Sequence, residues 1–216
     1  MYSRLRERFL KIVRFSPFPV QKIVHSFITK RAYARWLRSG KPLPPPRIVK
    51  QNHITRSRET TGYRILVETG TYLGDMIFFQ RKNFKRLYSI ELDEQLYRDA
   101  RRRFKNCPHV TIIQGDSAEK LQSVVDLVEE PAVFWLDGHY SGGITALGNK
   151  VTPIFEELKI IFSKKMRHVI LIDDARLFNG TDGYPSLEEL KNFIFQYYPG
   201  QHIEIKDDCI QFILEN

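Results

Sequence analysis

Leu66-Val-Glu-Thr-Gly-Thr-Tyr-Leu-Gly74, followed about twenty residues later by Leu87-Tyr-Ser-Ile-Glu91, decides how this chain folds. An apolar run ends in an acidic residue and a glycine turn, and a second apolar run ends in another acid. A strand–loop–helix–strand unit that binds an adenosine-containing cofactor is written this way. The glycines let backbone approach a ligand, and the second carboxylate can take two ribose hydroxyls.

The rest of the chain after residue 64 repeats the alternation. Strands are expected at Arg64–Glu68, Arg86–Glu91, Val110–Gln114, Ala132–Asp137 and His168–Asp173. Helices are expected at Asp75–Asn83, Glu94–Phe104, Ser117–Val128, Pro153–Phe162 and Ser186–Tyr198. The continuous apolar strands Val133-Phe-Trp-Leu136 and Val169-Ile-Leu-Ile172 suit a parallel sheet covered on both faces. The ending differs. His202–Lys206 and Cys209–Leu214 are separated only by Asp207-Asp208, so short a link that it demands a hairpin and reverses the last strand.

Charge divides the chain in two. Residues 1–50 hold thirteen Lys/Arg and one acid, Glu7, whereas residues 51–216 are slightly acidic at −3. We therefore separate a basic helical arm with a Pro-rich linker (1–50) from a catalytic body (51–216). In the arm, Leu5, Phe9, Ile12 and Val13 share one helical face, as do Val20, Ile23, Val24, Phe27 and Ile28, with Pro17 and Pro19 between the two segments. Lys41-Pro-Leu-Pro-Pro-Pro-Arg47 should run extended. The arm has three open destinations: packing on its own domain or on a second subunit of a homo-oligomer, peripheral contact of residues 1–40 with an anionic membrane surface, or nucleic acid. Nucleic acid is disfavoured because no recognition motif follows the charge. Two cysteines are too few for a disulfide framework, and the basic start lacks the apolar core of a secretory signal. No run approaches the roughly 18 apolar residues of a membrane span. The expected location is the cytoplasm, with a peripheral membrane contact open.

The cofactor type follows from the acids at strand ends. Glu68 closes the first strand, Glu91 the second, Asp116 the third and Asp137 the fourth. Any one of them could simply cap a helix. Four in succession mark the carboxyl edge where open parallel sheets bind ligands. A dinucleotide site keeps three glycines and turns a helix N-terminus toward pyrophosphate. Here Thr71 takes the second glycine position, and Glu68 would repel a pyrophosphate. A ligand with a cationic amino-acid end, such as S-adenosylmethionine, suits the loop better. Glu68, Gly70, Thr71 and Gly74 would surround that end, Glu91 would hold the ribose, and Asp116 with Ser117 would meet the adenine edge.

On these motifs, with Ser89-Ile-Glu-Leu-Asp93, Gly115-Asp-Ser-Ala118 and the closing hairpin, residues 64–216 resemble class I S-adenosylmethionine-dependent methyltransferases. The resemblance implies a doubly wound α/β fold with a mostly parallel seven-stranded sheet, order 3-2-1-4-5-7-6, strand 7 antiparallel. Strands 4 and 5 are then neighbours, so Asp137 and the pair Asp173-Asp174 come together. Three carboxylates so close repel one another unless a cation joins them, and oxygen-only ligands select a hard ion, Mg²⁺ first. Such an ion could lower the pKa of an acceptor hydroxyl, with His139 as the first candidate base.

This second constellation resembles the metal-dependent sugar O-methyltransferases of the macrocin O-methyltransferase type, which implies a hydroxyl acceptor on a sugar or glycan-like molecule. Two alternatives stay open within it: a metal-free site that needs only a base, and a His139 that is merely buried and hydrogen-bonded. Arg176, Tyr184, Glu156 and Glu157 are further residues that could face the pocket. A nucleic-acid methyltransferase recruited by the arm, and a non-catalytic cofactor-binding module, are the competing functions.

Overall fold

The structure is a computed structural model that describes residues 13–137 and 152–215, apart from the side chain of His25. The expected first arm segment up to Ile12, His139 and the glycine-containing loop Tyr140–Gly148 lie outside the described residues. The chain divides into two compact units, Met1–Val49 and Lys50–Asn216.

In the first unit, α1 (Phe18–Arg38) starts immediately after Pro17 and ends with Arg35 and Arg38 in its last turn. Proline is tolerated in the first turn because its missing N–H would have had no partner there, and terminal cations suit the negative end of the helix dipole. The Trp36 indole N–H donates to the Pro42 carbonyl at 2.9 Å, which folds the following turn back on the helix. No helix among the described residues is long and apolar enough to cross a membrane.

A helix the sequence reading did not assign, α2 (Arg47–Thr61), begins directly after the three prolines and runs into the second unit. Its composition explains the omission, because few apolar residues mark a period. Only Val49 and Ile54 anchor it in the core, and polar bonds add to them. The buried Gln80 side chain donates to Gln51 O at 3.0 Å and to Thr55 Oγ1 at 3.2 Å, and Arg58 Nε donates to Asn83 O at 3.0 Å.

The second unit runs β1 (Ile65–Thr69), α3 (Asp75–Gln80), β2 (Arg86–Glu91), α4 (Glu94–Arg103), β3 (Val110–Gln114), α5 (Ser117–Leu127), β4 (Val133–Leu136), α6 (Ile154–Ser163), β5 (Val169–Ile172), a 3-10 turn (Ala175–Leu177), α7 (Leu187–Tyr197), β6 (Glu204–Lys206) and β7 (Cys209–Ile213). The strands form one seven-stranded sheet in the order 3-2-1-4-5-7-6. β1 to β5 are parallel, and β7 runs antiparallel to both β5 and β6. The expected fold class and strand order are therefore the ones observed. Strands β1, β4 and β5 are buried at every position, as the unbroken apolar runs of β4 and β5 require, while β1 carries the buried polar residues Glu68 and Thr69 at its end. Asp207 and Asp208 both have positive φ, 46° and 67°, which suits a two-residue hairpin turn twisted like its strands.

Beneath the sheet, His168 is fully buried. Its Nδ1 accepts the Ala132 N–H at 3.1 Å and its ring meets Phe134 edge-on at 4.9 Å. Burial, with a smaller contribution from Lys164, pushes its pKa down to about 4. The unfolded chain binds this proton below about pH 6.5 while the folded chain refuses it until about pH 4, so stability is full above the unfolded pKa and is lost as pH falls between the two. At pH 4.5 the loss from this group is about 2–3 kcal/mol. Urea unfolding at pH 7 and pH 4.5 should show His168→Asn losing less than the parent by about that amount; equal losses would discard the assignment.

Candidate active site at the carboxyl edge of the sheet

The loop after β1 is built by backbone geometry. Gly70 N and Thr71 N both donate to Ile90 O, at 3.0 and 3.2 Å, which ties the loop to the end of β2. Gly74 has φ 70° and starts α3, and a Cβ there would lie 2.8 Å from the Phe104 ring, so the position needs glycine on two counts. Arg103 and Asp75, which the sequence reading did not single out, lock the loop from below. Both are buried. Arg103 Nη1 donates to Asp75 Oδ1 at 2.8 Å and to Leu73 O at 2.6 Å. A Gly-Asp helix start was the available signal for Asp75; nothing in the sequence paired it with Arg103.

Glu91 closes β2 and reads the same loop. One carboxylate oxygen accepts Tyr72 N at 2.6 Å and the other accepts Asp93 N at 2.9 Å. Burial raises its pKa, while the Asp93 and Tyr72 amides pull the other way. Glu68 is fully enclosed: its carboxylate accepts the Ser89 hydroxyl, and Ser89 Oγ lies 2.6 Å from Thr71 Oγ1. Burial, then the charges of Asp137, Glu91 and Asp75, lift its pKa well above the usual range, against the pull of the Ser89 bond. Asp116 caps α5 by accepting Ala118 N at 2.9 Å, beside the buried Ser117. Gly115 N donates to Glu91 O at 2.9 Å, so the ends of β2 and β3 meet. The fold thus brings Glu68, Gly70, Thr71, Gly74, Glu91, Asp116 and Ser117 to one edge, with Glu68 turned inward among hydroxyls.

The acid cluster adjoins this loop. Asp137 N donates to Thr69 O at 3.1 Å, and Asp173 N donates to Leu136 O at 3.0 Å, so each acid extends its strand by one residue toward the same edge. Asp174 sits in the left-handed region at φ 54°, rare for a non-glycine residue, and its N–H donates to Asp173 Oδ1 at 2.8 Å. One oxygen from each of Asp137, Asp173 and Asp174 lies within 4.8 Å of the others. A hard divalent ion holds oxygens at about 2.0–2.6 Å, so opposite ligands stand about 4–5 Å apart, and the three carboxylates fit that span.

A cation is already among them, on the helix that the sequence reading missed. Lys50 Nζ donates to Asp173 Oδ2 at 2.5 Å and to Asp174 Oδ1 at 2.7 Å. Burial disfavours its ammonium, but Asp173, Asp137 and Asp174 outweigh that and raise its pKa. Arg176 Nη1 donates to Asp174 Oδ1 at 2.8 Å and also to Asp208, the hairpin residue whose other oxygen and carbonyl accept Arg176 N and Ala175 N. The closing hairpin thereby holds the Asp173-Asp174 turn. Four carboxylates face two cations. Burial, then repulsion from Asp174, pushes the Asp137 pKa up to about 7 against the pull of Lys50, and burial with Asp137 raises that of Asp173. Tyr184, pushed to about 12 by burial and then by Asp174 and Asp137, borders the same cluster. Glu157 is instead buried on α6.

No protein-family model matches the chain, and no curated protein is significantly similar to it. Solved structures are similar in fold. The O-methyltransferase from Bacillus cereus in complex with S-adenosylhomocysteine is 13% identical, with 87% of this chain and 90% of that chain covered at a TM-score of 0.58. TomG, an O-methyltransferase from Streptomyces achromogenes involved in tomaymycin synthesis and solved with S-adenosylmethionine, is 14% identical, with 86% and 88% covered at 0.57. The S-adenosylhomocysteine-bound Podospora anserina methyltransferase PaMTH1 is 14% identical, with 77% and 78% covered at 0.55. At such identities the likeness establishes the Rossmann-like methyltransferase fold.

Proposed function

We propose that this chain is an O-methyltransferase that transfers the methyl group of S-adenosylmethionine to a hydroxyl of a sugar or glycan-like molecule, with Mg²⁺ held by Asp137, Asp173 and Asp174. The observation that carries this reading is the contact between two half-sites. Thr69 ends the strand that leads into the glycine loop, and its carbonyl accepts the N–H of Asp137. A donor held by the loop and an acceptor held by the acid cluster would be neighbours, which is what a direct transfer between two bound molecules needs.

In this reading Glu91 holds the ribose hydroxyls, the Gly70–Gly74 loop wraps the amino-acid end, and Asp116 with Ser117 meets the adenine. Arg103 and Asp75 keep the loop in shape. A hard ion bound by the three aspartates supplies Lewis acidity that lowers the pKa of an acceptor alcohol. His139, two residues beyond Asp137, takes the proton. The sugar acceptor rests on the sequence resemblance, and the cofactor on the loop, on Glu91 and on the solved neighbours bound to S-adenosylmethionine or its product.

Calorimetry with S-adenosylhomocysteine and with NAD, each with and without Mg²⁺, tests the cofactor before any acceptor is known. S-adenosylhomocysteine should bind and NAD should not; the reverse result would remove the proposal. With an acceptor in hand, excess chelator should stop turnover and added Mg²⁺ should restore it. Full activity in chelator would remove the metal and leave the methyl donor standing.

A further inference from the structure

The Lys50 ammonium occupies the place where a divalent ion would bind. It contacts Asp173 Oδ2 and Asp174 Oδ1, and the ligand atoms of the three aspartates share one 4.8 Å space. An ion at coordination distance from those oxygens would stand against Nζ inside normal contact distance and with like charge. Resting on the metal-site reading above, we infer that Lys50 and a divalent ion are mutually exclusive occupants: the tethered ammonium fills the site when no metal is bound, and a metal enters only when Lys50 leaves.

The geometry permits that exchange. Lys50 stands at the start of the second unit on α2, and the Gln80 and Arg58 bonds that fix α2 do not involve its side chain. Its side chain is 18% exposed whereas that of Asp173 is 1% exposed, so part of the Lys50 side chain lies at the surface while the carboxylate is enclosed. A flexible four-carbon stem lets it leave by rotamer change alone. The Lys50 ammonium offsets the charge of Asp173 in a buried place, as Arg176 together with Lys50 does that of Asp174. Lys50 would therefore set the metal affinity of the site as well as hold its shape.

Mn²⁺ titrated into the full chain, read by electron paramagnetic resonance of the free ion and by the melting temperature, tests this. Lys50→Met should bind Mn²⁺ at least about tenfold tighter than the parent, and Mn²⁺ should raise its melting temperature further than that of the parent. Lys50→Arg, which keeps the charge, should stay near the parent, and Asp137→Asn should bind weakly. Where Lys50→Met does not fold, Lys50→Gln keeps an N–H donor toward Asp173 and reads the same titration. Binding by the neutral variants but not by the parent would support exclusion while removing Mg²⁺ from the proposed function. Neutral variants that bind no tighter than the parent, with Asp137→Asn still weakened, would overturn the exchange and leave the metal site standing. No binding by any protein would remove both.

A separate observation concerns α1. Val20, Ile23 and Phe27, spaced to share one face, are 45%, 71% and 61% exposed. Lys30, Arg31, Arg35 and Arg38 follow along the helix, and no acidic residue lies between Glu7 and Glu59. We propose that this helix docks on an anionic lipid surface. A second copy would bring the same positive charge against it, and phosphates of a nucleic acid would leave Ile23 and Phe27 in water. The full chain should sediment with vesicles containing phosphatidylserine but not with pure phosphatidylcholine, and Ile23→Ser with Phe27→Ser should weaken this at least about tenfold. Absence of vesicle binding, binding unaltered in the double variant, or a dimer that the double variant dissolves would each overturn it.

Discussion

Asp137→Ala should abolish turnover while S-adenosylhomocysteine binds almost as well as before. The expected fall in kcat is at least about a thousandfold, because in the proposed reading the change removes a metal ligand that would lie beside the methyl donor. The cofactor dissociation constant should stay within about threefold, since no contact of the Gly70–Gly74 loop or of Glu91 runs through the Asp137 side chain among the bonds described above. The fold should survive too, because Lys50 keeps both Asp173 and Asp174 as partners. Asp173→Ala should remove turnover equally but fold less well. That carboxylate is buried and accepts both the Asp174 N–H and Lys50, so its loss strips a left-handed residue and an ammonium of their shared partner. The two variants therefore separate chemistry from architecture: equal loss of activity, unequal loss of melting temperature. More than about a tenth of parental activity in Asp137→Ala would end the case for that residue in the reaction.

The parts of this site that were legible in the sequence are those set by strand ends. In a parallel sheet every strand finishes at the same edge, so an acid after each apolar run is placed by topology alone. The antiparallel ending was legible for a similar reason, because a two-residue Asp207-Asp208 link allows only a hairpin, whereas the sheet order was implied by the resemblance to class I methyltransferases. Strand β1 runs one residue further than expected, to Thr69, so Glu68 sits within the ladder beside Ser89. What the sequence hid is carried by pairs far apart in the chain. Lys50 lies 123 residues from Asp173, and Arg103 lies 28 from Asp75. No periodicity links such partners, and the helix that delivers Lys50 buries only Val49 and Ile54 as core apolar residues and is otherwise fastened by side-chain amides and a guanidinium. A polar helix of that kind leaves almost no trace in hydrophobic spacing.

Glu91→Ala should weaken S-adenosylhomocysteine binding by about a hundredfold, the value of two charge-assisted hydrogen bonds from ribose hydroxyls with part of their strength screened. The carboxylate also accepts Tyr72 N and Asp93 N, so a fall in affinity alone could arise from a loosened loop. A double-mutant cycle with the 2′-deoxy analogue of S-adenosylhomocysteine separates the two causes. If Glu91 holds the ribose, removing the 2′-hydroxyl should cost the parent about tenfold and cost Glu91→Ala almost nothing, because the partner is already gone. If Glu91 acts only by bracing the loop, the deoxy analogue should lose the same factor in both proteins. Glu91→Gln sharpens the comparison. It keeps an acceptor for one loop amide but removes the charge, so a result close to Glu91→Ala would assign the binding to the carboxylate itself. Unchanged affinity in Glu91→Ala would strike the ribose contact from the site, and with it the argument that an acid at the end of β2 selects an adenosine ligand here.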